Sequence, residues 1–230
     1  MIYNSKINPV FHDIQIISSI IFNGNLGILL DEIMRRRRSR TCFYGLMRDL
    51  AEPVAEPSSK IPVTIRPLEA QDIPFILRKA NGGSGPELKD QARRSLLIKA
   101  EFSRCFVAAD PDNRPCYMQW LIGPEENEKL QDYFKGGFPL LGPDEVLLEG
   151  AYTPPQYRGL GIMSRAMLQI SDKGKELGAK RAITFVHVNN KAALLGCNRA
   201  GFHEYLIRED LWRNFKRTLT FKRIEPDHTR

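Results

Sequence analysis

Two glycines separated by a single residue lie where an apolar run gives way to a helical pattern. They belong to the segment PPQYRGLGIM, residues 154–163, and Arg158 directly precedes the first of them. The start of a helix carries unpaired amides and a partial positive charge, and glycines let a ligand approach the backbone closely. The segment therefore predicts a phosphate-binding loop to which Arg158 adds a charge-assisted contact, although a simple turn fits the short Gly-x-Gly pattern equally well.

Two common nucleotide-binding patterns are excluded by residue count. The chain has no GxxxxGK[ST] segment, so the loop is not a nucleotide P-loop. It has no GxGxxG segment either, because Ser164 occupies the place of the third glycine. A phosphate at this loop would therefore belong to another class of ligand.

A second segment, VNNKAALLGCNRAGFHEY at residues 188–205, follows one predicted strand later. Arg158-x-x-Gly161-x-Met163 resembles the Arg/Gln-x-x-Gly-x-Gly/Ala signature of the GNAT superfamily of N-acetyltransferases. The positions that resemble the superfamily's following Asn-x-x-Ala…Gly-Phe signature are Asn190, Ala193, Gly201 and Phe202. The resemblance covers roughly residues 61–224 and is most specific in the second half of that range.

This resemblance implies that the chain binds acetyl-coenzyme A as its acyl donor. The residues that match the superfamily's coenzyme-binding positions are Ala151, Tyr152, Thr153, Arg158, Gly159, Leu160, Gly161, Ile162, Met163 and Asn190. The first three lie on a strand that would pair with the pantetheine arm, and the loop amides would bind the pyrophosphate. Asn190 would contact the coenzyme from the next helix.

The sequence departs from the superfamily's pattern at two positions. Met163 replaces the small last residue of the first signature, and we expect its side chain to point away so that only its amide is used. Cys197 lies seven residues after Asn190, where many members carry a tyrosine that protonates the departing thiolate. A thiol can act as an acid, with an ordinary pKa of about 8.5, but the favoured interpretation of Cys197 is a helix packing residue.

Glu149 is the first candidate for a general base. An amine attacks a thioester only when neutral, so a positioned group must take a proton from it. Glu149 lies on the strand that leads into the glycine loop, and alternation predicts that it shares a face with Ala151. Glu145 is a weaker candidate, and a salt-bridged structural role for Glu149 stays open. A strand amide near Tyr152 would stabilise the tetrahedral oxyanion.

These residues lead to three hypotheses about function. The first is an N-acetyltransferase that transfers acetyl directly to a primary amine of a small molecule or peptide. The second is a non-catalytic acyl-coenzyme A sensor or scaffold, which the missing tyrosine favours. The third is an anionic-surface binder that uses the arginine block at residues 35–40, although no nucleic-acid motif supports it and no nucleic acid is expected.

The elements that position these residues alternate between strands and helices. Strands are predicted at residues 41–50, 63–67, 102–109, 116–122, 145–152, 181–188, 202–208 and 211–221, and helices at 26–34, 70–79, 87–100, 161–177 and 191–199. Because some strands are adjacent in sequence, we expect an α/β fold with a mixed, mostly antiparallel sheet flanked by helices. The proline-rich segment 51–62 predicts a linker. It divides an N-terminal extension (residues 1–60) from the acetyltransferase-like domain (61–224), which a short tail (225–230) follows.

Composition adds broad expectations about environment and partners. The 230 residues carry a net charge of +7, which favours anionic partners such as a phosphorylated coenzyme. The four cysteines form no CxxC pair and no metal-ligand spacing with histidine, so we expect reduced thiols, a cytoplasmic location and no metal site. The apolar run at residues 14–30 is short and contains polar residues, so we expect no membrane span. A C-terminal edge strand could pair two copies as a homodimer.

Overall fold

Most of the chain folds into one mixed β-sheet with helices on both faces. The computed structural model describes residues 26–77 and 85–224. Its strands are β1 (Arg38–Asp49), β2 (Thr64–Pro67), β3 (Cys105–Ala109), β4 (Pro115–Ile122), β5 (Glu145–Tyr152), β6 (Arg181–His187), β7 (His203–Arg213) and β8 (Lys216–Arg223). Its helices are α1 (Leu26–Arg37), α2 (Ile73–Ile76), α3 (Gly85–Lys99), α4 (Asn127–Phe134), α5 (Ile162–Asp172) and α6 (Lys191–Arg199). Short 3-10 segments occur at Ala70–Asp72, Pro124–Glu126, Pro155–Tyr157 and Lys173–Leu177.

The strand order across the sheet is β2-β3-β4-β5-β6-β1-β7-β8. All neighbouring strands run antiparallel except β5 and β6, which are parallel. The predicted fold class, a mixed and mostly antiparallel sheet flanked by helices, is confirmed. A parallel pair needs a crossover connection, and here α5 supplies it between β5 and β6.

Two buried clusters divide the core between the two faces of the sheet. The cluster beneath α5 and α6 includes Leu148, Ile162, Met167, Cys197 and Phe202. The cluster on the opposite face, beneath α3 and α4, includes Leu97, Trp120, Leu130, Leu147 and Ile183. Leu147 and Leu148 are adjacent residues of β5 that serve opposite clusters, as strand alternation requires.

The sheet contains strands from both sides of the predicted domain boundary between residues 60 and 61. Strand β1 lies between β6 and β7 and pairs with both of them. Arg48 also ties β1 to α5, because its buried guanidinium donates to the Leu168 carbonyl at 3.2 Å and to Asp172 at 3.0 Å. The segment before the linker therefore shares the core of the segment after it.

Three local predictions differ from the structure. The sequence predicts no helix or strand at residues 123–142, but this segment contains α4, which buries Leu130 against the sheet. The predicted helix at residues 70–79 is a 3-10 turn followed by the short α2, and residues 78 and 79 lie outside the described residues. The last hairpin turns at Asn214 and Phe215 rather than near residues 209–210.

Two further expectations, one about the ends of the chain and one about a membrane span, involve residues outside those that the structure describes. Residues 1–25 and the tail at 225–230 lie outside the described residues. Among the described helices, none has the length and apolar composition needed to cross a membrane.

Candidate active site

A β-bulge in β5 shapes the centre of the site. Trp120 of β4 faces Glu149, and Met118 faces Tyr152, so the single residue between them on β4 lies opposite two residues of β5, Gly150 and Ala151. Gly150 takes up the extra residue in the left-handed region, with φ of 69°. A side chain there would collide with Leu97 and Trp120, so this position requires glycine for space as well as for its dihedral.

The bulge corrects the predicted facing of the strand residues. Simple alternation would place Ala151 on the same face as Glu149, but the extra residue moves Tyr152 into that position. Tyr152 accordingly packs against the cluster that contains Trp120, whereas Ala151 is exposed. Glu149 and Tyr152, rather than Glu149 and Ala151, therefore line the same side of the sheet.

Beyond the middle of β5, its backbone no longer pairs with β6, so the edge of β5 that faces β6 is open. The parallel pairing of these two described strands covers Glu145 to Leu147, and the Thr184 hydroxyl then donates to the Leu148 carbonyl at 2.9 Å. Past that point β5 continues to Tyr152 without a ladder to β6. An open strand edge can pair with an extended ligand through backbone hydrogen bonds, which suits a pantetheine arm.

Glu149 is half-buried, in an environment that suits a general base. Burial raises the pKa of its carboxyl above the ordinary value, and the nearby Arg208 guanidinium partly opposes that shift. Arg208 itself is 8% exposed and lies over the rings of Phe43, at 4.0 Å, and Phe185, at 5.2 Å. Burial lowers the pKa of Arg208 to about 10, so it stays a cation at neutral pH and keeps Glu149 ionisable.

The weaker base candidate, Glu145, is occupied by structural contacts. Its carboxylate accepts from the Gly142 amide at 2.9 Å and lies 3.5 Å from the Arg181 guanidinium. The first contact fixes the loop before β5, and the second links the start of β5 to β6. Of the two carboxylates on this strand, Glu149 is the one that faces the opened part of the sheet.

Tyr152 and Thr153 lie beside two arginines. The Arg94 guanidinium, on α3, stacks over the Tyr152 ring at 3.6 Å, and its Nε atom has no hydrogen-bond partner among the described residues. Arg158 donates from Nε to the Thr153 carbonyl at 3.1 Å. The end of β5 is therefore positively charged, which suits an anionic group of a ligand.

The glycine loop has the backbone geometry that the sequence indicated. Gly159 and Gly161 both adopt left-handed conformations, with φ of 76° and 77°, and Gly161 caps the start of α5. The first amides of α5, at Ile162 and Met163, have no partner within the helix. These amides and the helix dipole make the loop suitable for binding an anion.

The predicted linker lies directly against this loop. The Lys60 amide donates to the Leu160 carbonyl at 2.8 Å, and a Cβ added to Gly161 would overlap the Ser58 carbonyl oxygen. Glu56 forms an ion pair with Arg165 of α5 at 3.1 Å. Sequence reasoning missed this contact, because nothing local in a proline-rich segment shows what it packs against.

The linker contact fixes the direction of a loop amide. In a trans peptide the carbonyl and the following N–H point in opposite directions. Because the Leu160 carbonyl points at Lys60, the Gly161 amide points away from the linker. The linker thus orients the Gly161 amide toward the side of the loop that lies opposite the linker.

Met163 and Asn190 connect the loop to α6. The Met163 sulfur would lie 3.2 Å from a Cβ added to Gly196, so its side chain packs toward α6 and leaves its amide available. The Asn190 side-chain oxygen accepts from the Ala193 amide at 3.1 Å and so caps α6. The side chain is exposed, and its amide nitrogen remains able to donate to a ligand.

Cys197 lies in the core rather than at the loop surface. The residue is 1% exposed, and its sulfur lies 3.7 Å from the sulfur of Met167. Burial raises the pKa of the thiol to about 12. In this arrangement Cys197 packs α6 against α5, and its thiol is remote from solvent and too weak an acid for ready proton donation at neutral pH.

Comparisons with known proteins agree with this geometry. The model of the Acetyltransferase (GNAT) family matches residues 86–202. The chain is 13% identical to a GCN5-related N-acetyltransferase from Sphaerobacter thermophilus, with a TM-score of 0.51 over 86% of this chain and 56% of that one. No curated protein sequence matches the chain.

Two further solved structures are similar at lower scores. One is an acetyltransferase of the GNAT family from Colwellia psychrerythraea, with 13% identity and a TM-score of 0.48 over 83% of this chain. The other is a GCN5-related N-acetyltransferase from Kribbella flavida, with 13% identity and a TM-score of 0.44 over 83% of this chain. The chain spans 59% of the first protein's length and 60% of the second's.

Proposed function

The chain belongs to the GNAT acetyltransferase family, and we propose that it transfers an acetyl group from acetyl-coenzyme A to a primary amine. The observation that carries the proposal is the alignment of three features along β5. These are the opened strand edge, the half-buried Glu149 and the glycine loop at the start of α5. A strand edge for the pantetheine arm, a base for the amine and amides for the pyrophosphate are what the reaction needs.

The reaction is a direct transfer in a ternary complex. Glu149 takes a proton from the ammonium form of the acceptor, directly or through water, and the neutral amine attacks the thioester carbonyl. A carbon–nitrogen bond forms and the carbon–sulfur bond breaks, so that the products are an amide, the coenzyme thiol and one released proton. A backbone amide near Tyr152 would stabilise the oxyanion during the attack.

Proton delivery to the departing thiolate is a step in which Cys197 takes no part in this proposal. Cys197 occupies the position matched to the family's tyrosine, but its thiol is in the core. A coenzyme thiolate is a stable leaving group, with a thiol pKa of about 8.5, so that it can leave unprotonated and take its proton from water. The proposal therefore assigns Cys197 a packing role only.

The positive charge at the end of β5, beside Tyr152, favours an acceptor that carries an anionic group besides its amine. Arg94 has an unpaired Nε beside Tyr152. An acceptor carboxylate or phosphate near this guanidinium would leave the amine free to approach Glu149. Amino acids and amino sugar phosphates are acceptors of this class.

The test is release of the coenzyme thiol, measured with a thiol reagent, from acetyl-coenzyme A and a panel of primary amines. The panel pairs each amine with an analogue that carries a carboxylate or phosphate. Turnover should be amine-dependent, and Glu149→Gln should lower kcat by about a hundredfold or more, which is ordinary for a lost general base. Glu176→Gln is the matched control, because Glu176 is an exposed carboxylate on the turn after α5.

A second candidate function, an acyl-coenzyme A sensor or scaffold, is favoured by the burial of Cys197. The same assay separates the two functions. A protein that binds acetyl-coenzyme A, releases no thiol with any amine and is indifferent to Glu149→Gln would be the sensor. Amine-dependent release that Glu149→Gln abolishes would be the enzyme.

A further inference from the structure

Three basic side chains lie side by side at one end of the sheet. Arg38 of β1 is directly opposite Arg213 of β7, and Arg213 is directly opposite Lys216 of β8. All three are exposed. Like charges in directly opposed positions repel each other and destabilise a sheet, and an anionic ligand at this end would relieve that repulsion.

A stripe of apolar side chains on α1 adjoins this end. Leu30, Ile33 and Met34 are 57%, 42% and 59% exposed, and their spacing places them on one helix face. Phe215, in the turn between β7 and β8, is 57% exposed. Exposed apolar groups that lie near one another on a surface are candidates for an interaction site.

Backbone hydrogen bonds join the helix and the turn into one surface. The Asn214 amide donates to the Arg37 carbonyl at 2.9 Å, and the Phe215 amide donates to the Arg36 carbonyl at 3.0 Å. The last carbonyls of α1 are thereby capped by the β7–β8 turn. We call this the α1–turn surface, and its members are Leu30, Ile33, Met34, Arg37, Arg38, Arg213, Phe215 and Lys216.

Few carboxylates offset the charge of this surface. Nearby Glu209 and Asp210 are engaged, the first with Arg40 and the second with Arg217, each at 2.6 Å. Asp31 is an exposed carboxylate on α1. Within the described part of the chain, no ion pair involves any of the four basic members of the α1–turn surface.

We propose that the α1–turn surface binds a membrane surface that contains anionic lipids. Exposed aliphatic and aromatic groups ringed by arginine and lysine insert into the headgroup boundary while their charges contact lipid phosphates. A nucleic acid would match the charge, but single strands are held by aromatic stacking and duplexes by polar contacts, which leave a Leu-Ile-Met stripe without a role. Such binding would hold the acetyltransferase site near membrane-associated acceptors.

The experiment is co-sedimentation of the full chain with vesicles of phosphatidylcholine alone and of phosphatidylcholine with phosphatidylserine. Binding should require the anionic lipid and weaken with salt. Replacing three basic residues by glutamine, in Arg38→Gln/Arg213→Gln/Lys216→Gln, should weaken binding roughly a hundredfold, at about fivefold for each charge near the lipid surface. The apolar variant Leu30→Gln/Ile33→Gln/Met34→Gln should also lose binding while it keeps the full charge.

A matched control is Lys175→Gln/Lys180→Gln/Arg199→Gln, which removes the same net charge from exposed positions outside the surface. It should bind vesicles nearly as well as the unsubstituted chain. Acetyl-coenzyme A binding by every variant verifies that the fold is intact. The proposal is overturned if the control and the basic variant weaken equally, if neutral vesicles bind equally well, or if a DNA duplex binds and vesicles do not.

Discussion

Alanine at Gly159 and at Gly161 should have different consequences, although the two glycines share one loop and nearly one conformation. Their φ values are 76° and 77°. A Cβ on Gly159 meets nothing within 4 Å, whereas a Cβ on Gly161 comes closer to the Ser58 carbonyl oxygen than the 3.0 Å that real Cβ atoms keep. The pair therefore separates backbone strain from the contact between the linker and the loop.

The expected losses of stability follow from two contributions, the strain of the left-handed backbone and the collision with the linker. A left-handed conformation costs a non-glycine residue about 1 kcal/mol, which both variants share. Overpacking against a backbone atom adds about 2 kcal/mol for Gly161→Ala alone. For a chain of this size 1 kcal/mol lowers Tm by roughly 2–4 °C, so that the expected falls are about 3 °C for Gly159→Ala and about 9 °C for Gly161→Ala.

The assay is thermal unfolding with calorimetric titration of acetyl-coenzyme A alongside. Gly161→Ala should also weaken acetyl-coenzyme A binding about tenfold more than Gly159→Ala, because displacement of the linker releases the Leu160–Gly161 peptide. Equal Tm losses in the two variants would refute the reasoning, since they would mean that the linker does not press on Gly161. Equal affinities would refute the claim that the linker orients the loop amide.

Three further predictions test single contacts. In Arg208→Met the pKa of Glu149 should rise further, because a nearby cation no longer favours the ionised carboxylate. The acidic limb of the profile of kcat against pH should therefore move to higher pH. Arg208→Lys keeps the cation and should leave that limb nearly in place. Arg48→Met should lower the free energy of unfolding by about 3 kcal/mol in denaturant titrations, because it leaves the Leu168 carbonyl and the buried Ser171 hydroxyl without this donor. Asn190→Ser should keep Tm, because serine also caps a helix, but should weaken acetyl-coenzyme A binding in calorimetry through loss of the donor nitrogen; an unchanged affinity would exclude Asn190 from the coenzyme site.

Strong local patterns explain which elements sequence reasoning found. Strand β5 was predicted at its observed bounds, and α6 likewise, because each has turn or capping residues at its ends. The glycine loop was found because Gly159 and Gly161 are required by backbone conformation, a property that residue type reveals directly. The hairpin turn was misplaced because Asn214 and Phe215, both at positive φ, carry no glycine or proline signal.

The remaining features of the site depend on contacts between residues distant in sequence. The bulge at Gly150 reverses the facing of everything after it, and only pairing with β4 reveals it. Arg208 reaches Glu149 from a strand 59 positions later in the chain, through a sheet order that periodicity cannot supply. The contact between Lys60 and Leu160 joins an irregular segment to a loop, for which the sequence holds no repeating signal.

The central claim, an acyl-coenzyme A site at the glycine loop, is tested most directly by calorimetric titration of acetyl-coenzyme A into three proteins. These are the unsubstituted chain, Gly159→Asn and Gly159→Asp. Asparagine and aspartate both tolerate the left-handed conformation and have nearly the same size, so that the two variants differ in charge at the loop. The account predicts one bound molecule per chain, little change in Gly159→Asn and affinity lowered at least about tenfold in Gly159→Asp. No binding by the unsubstituted chain, or equal binding by the two variants, would contradict it.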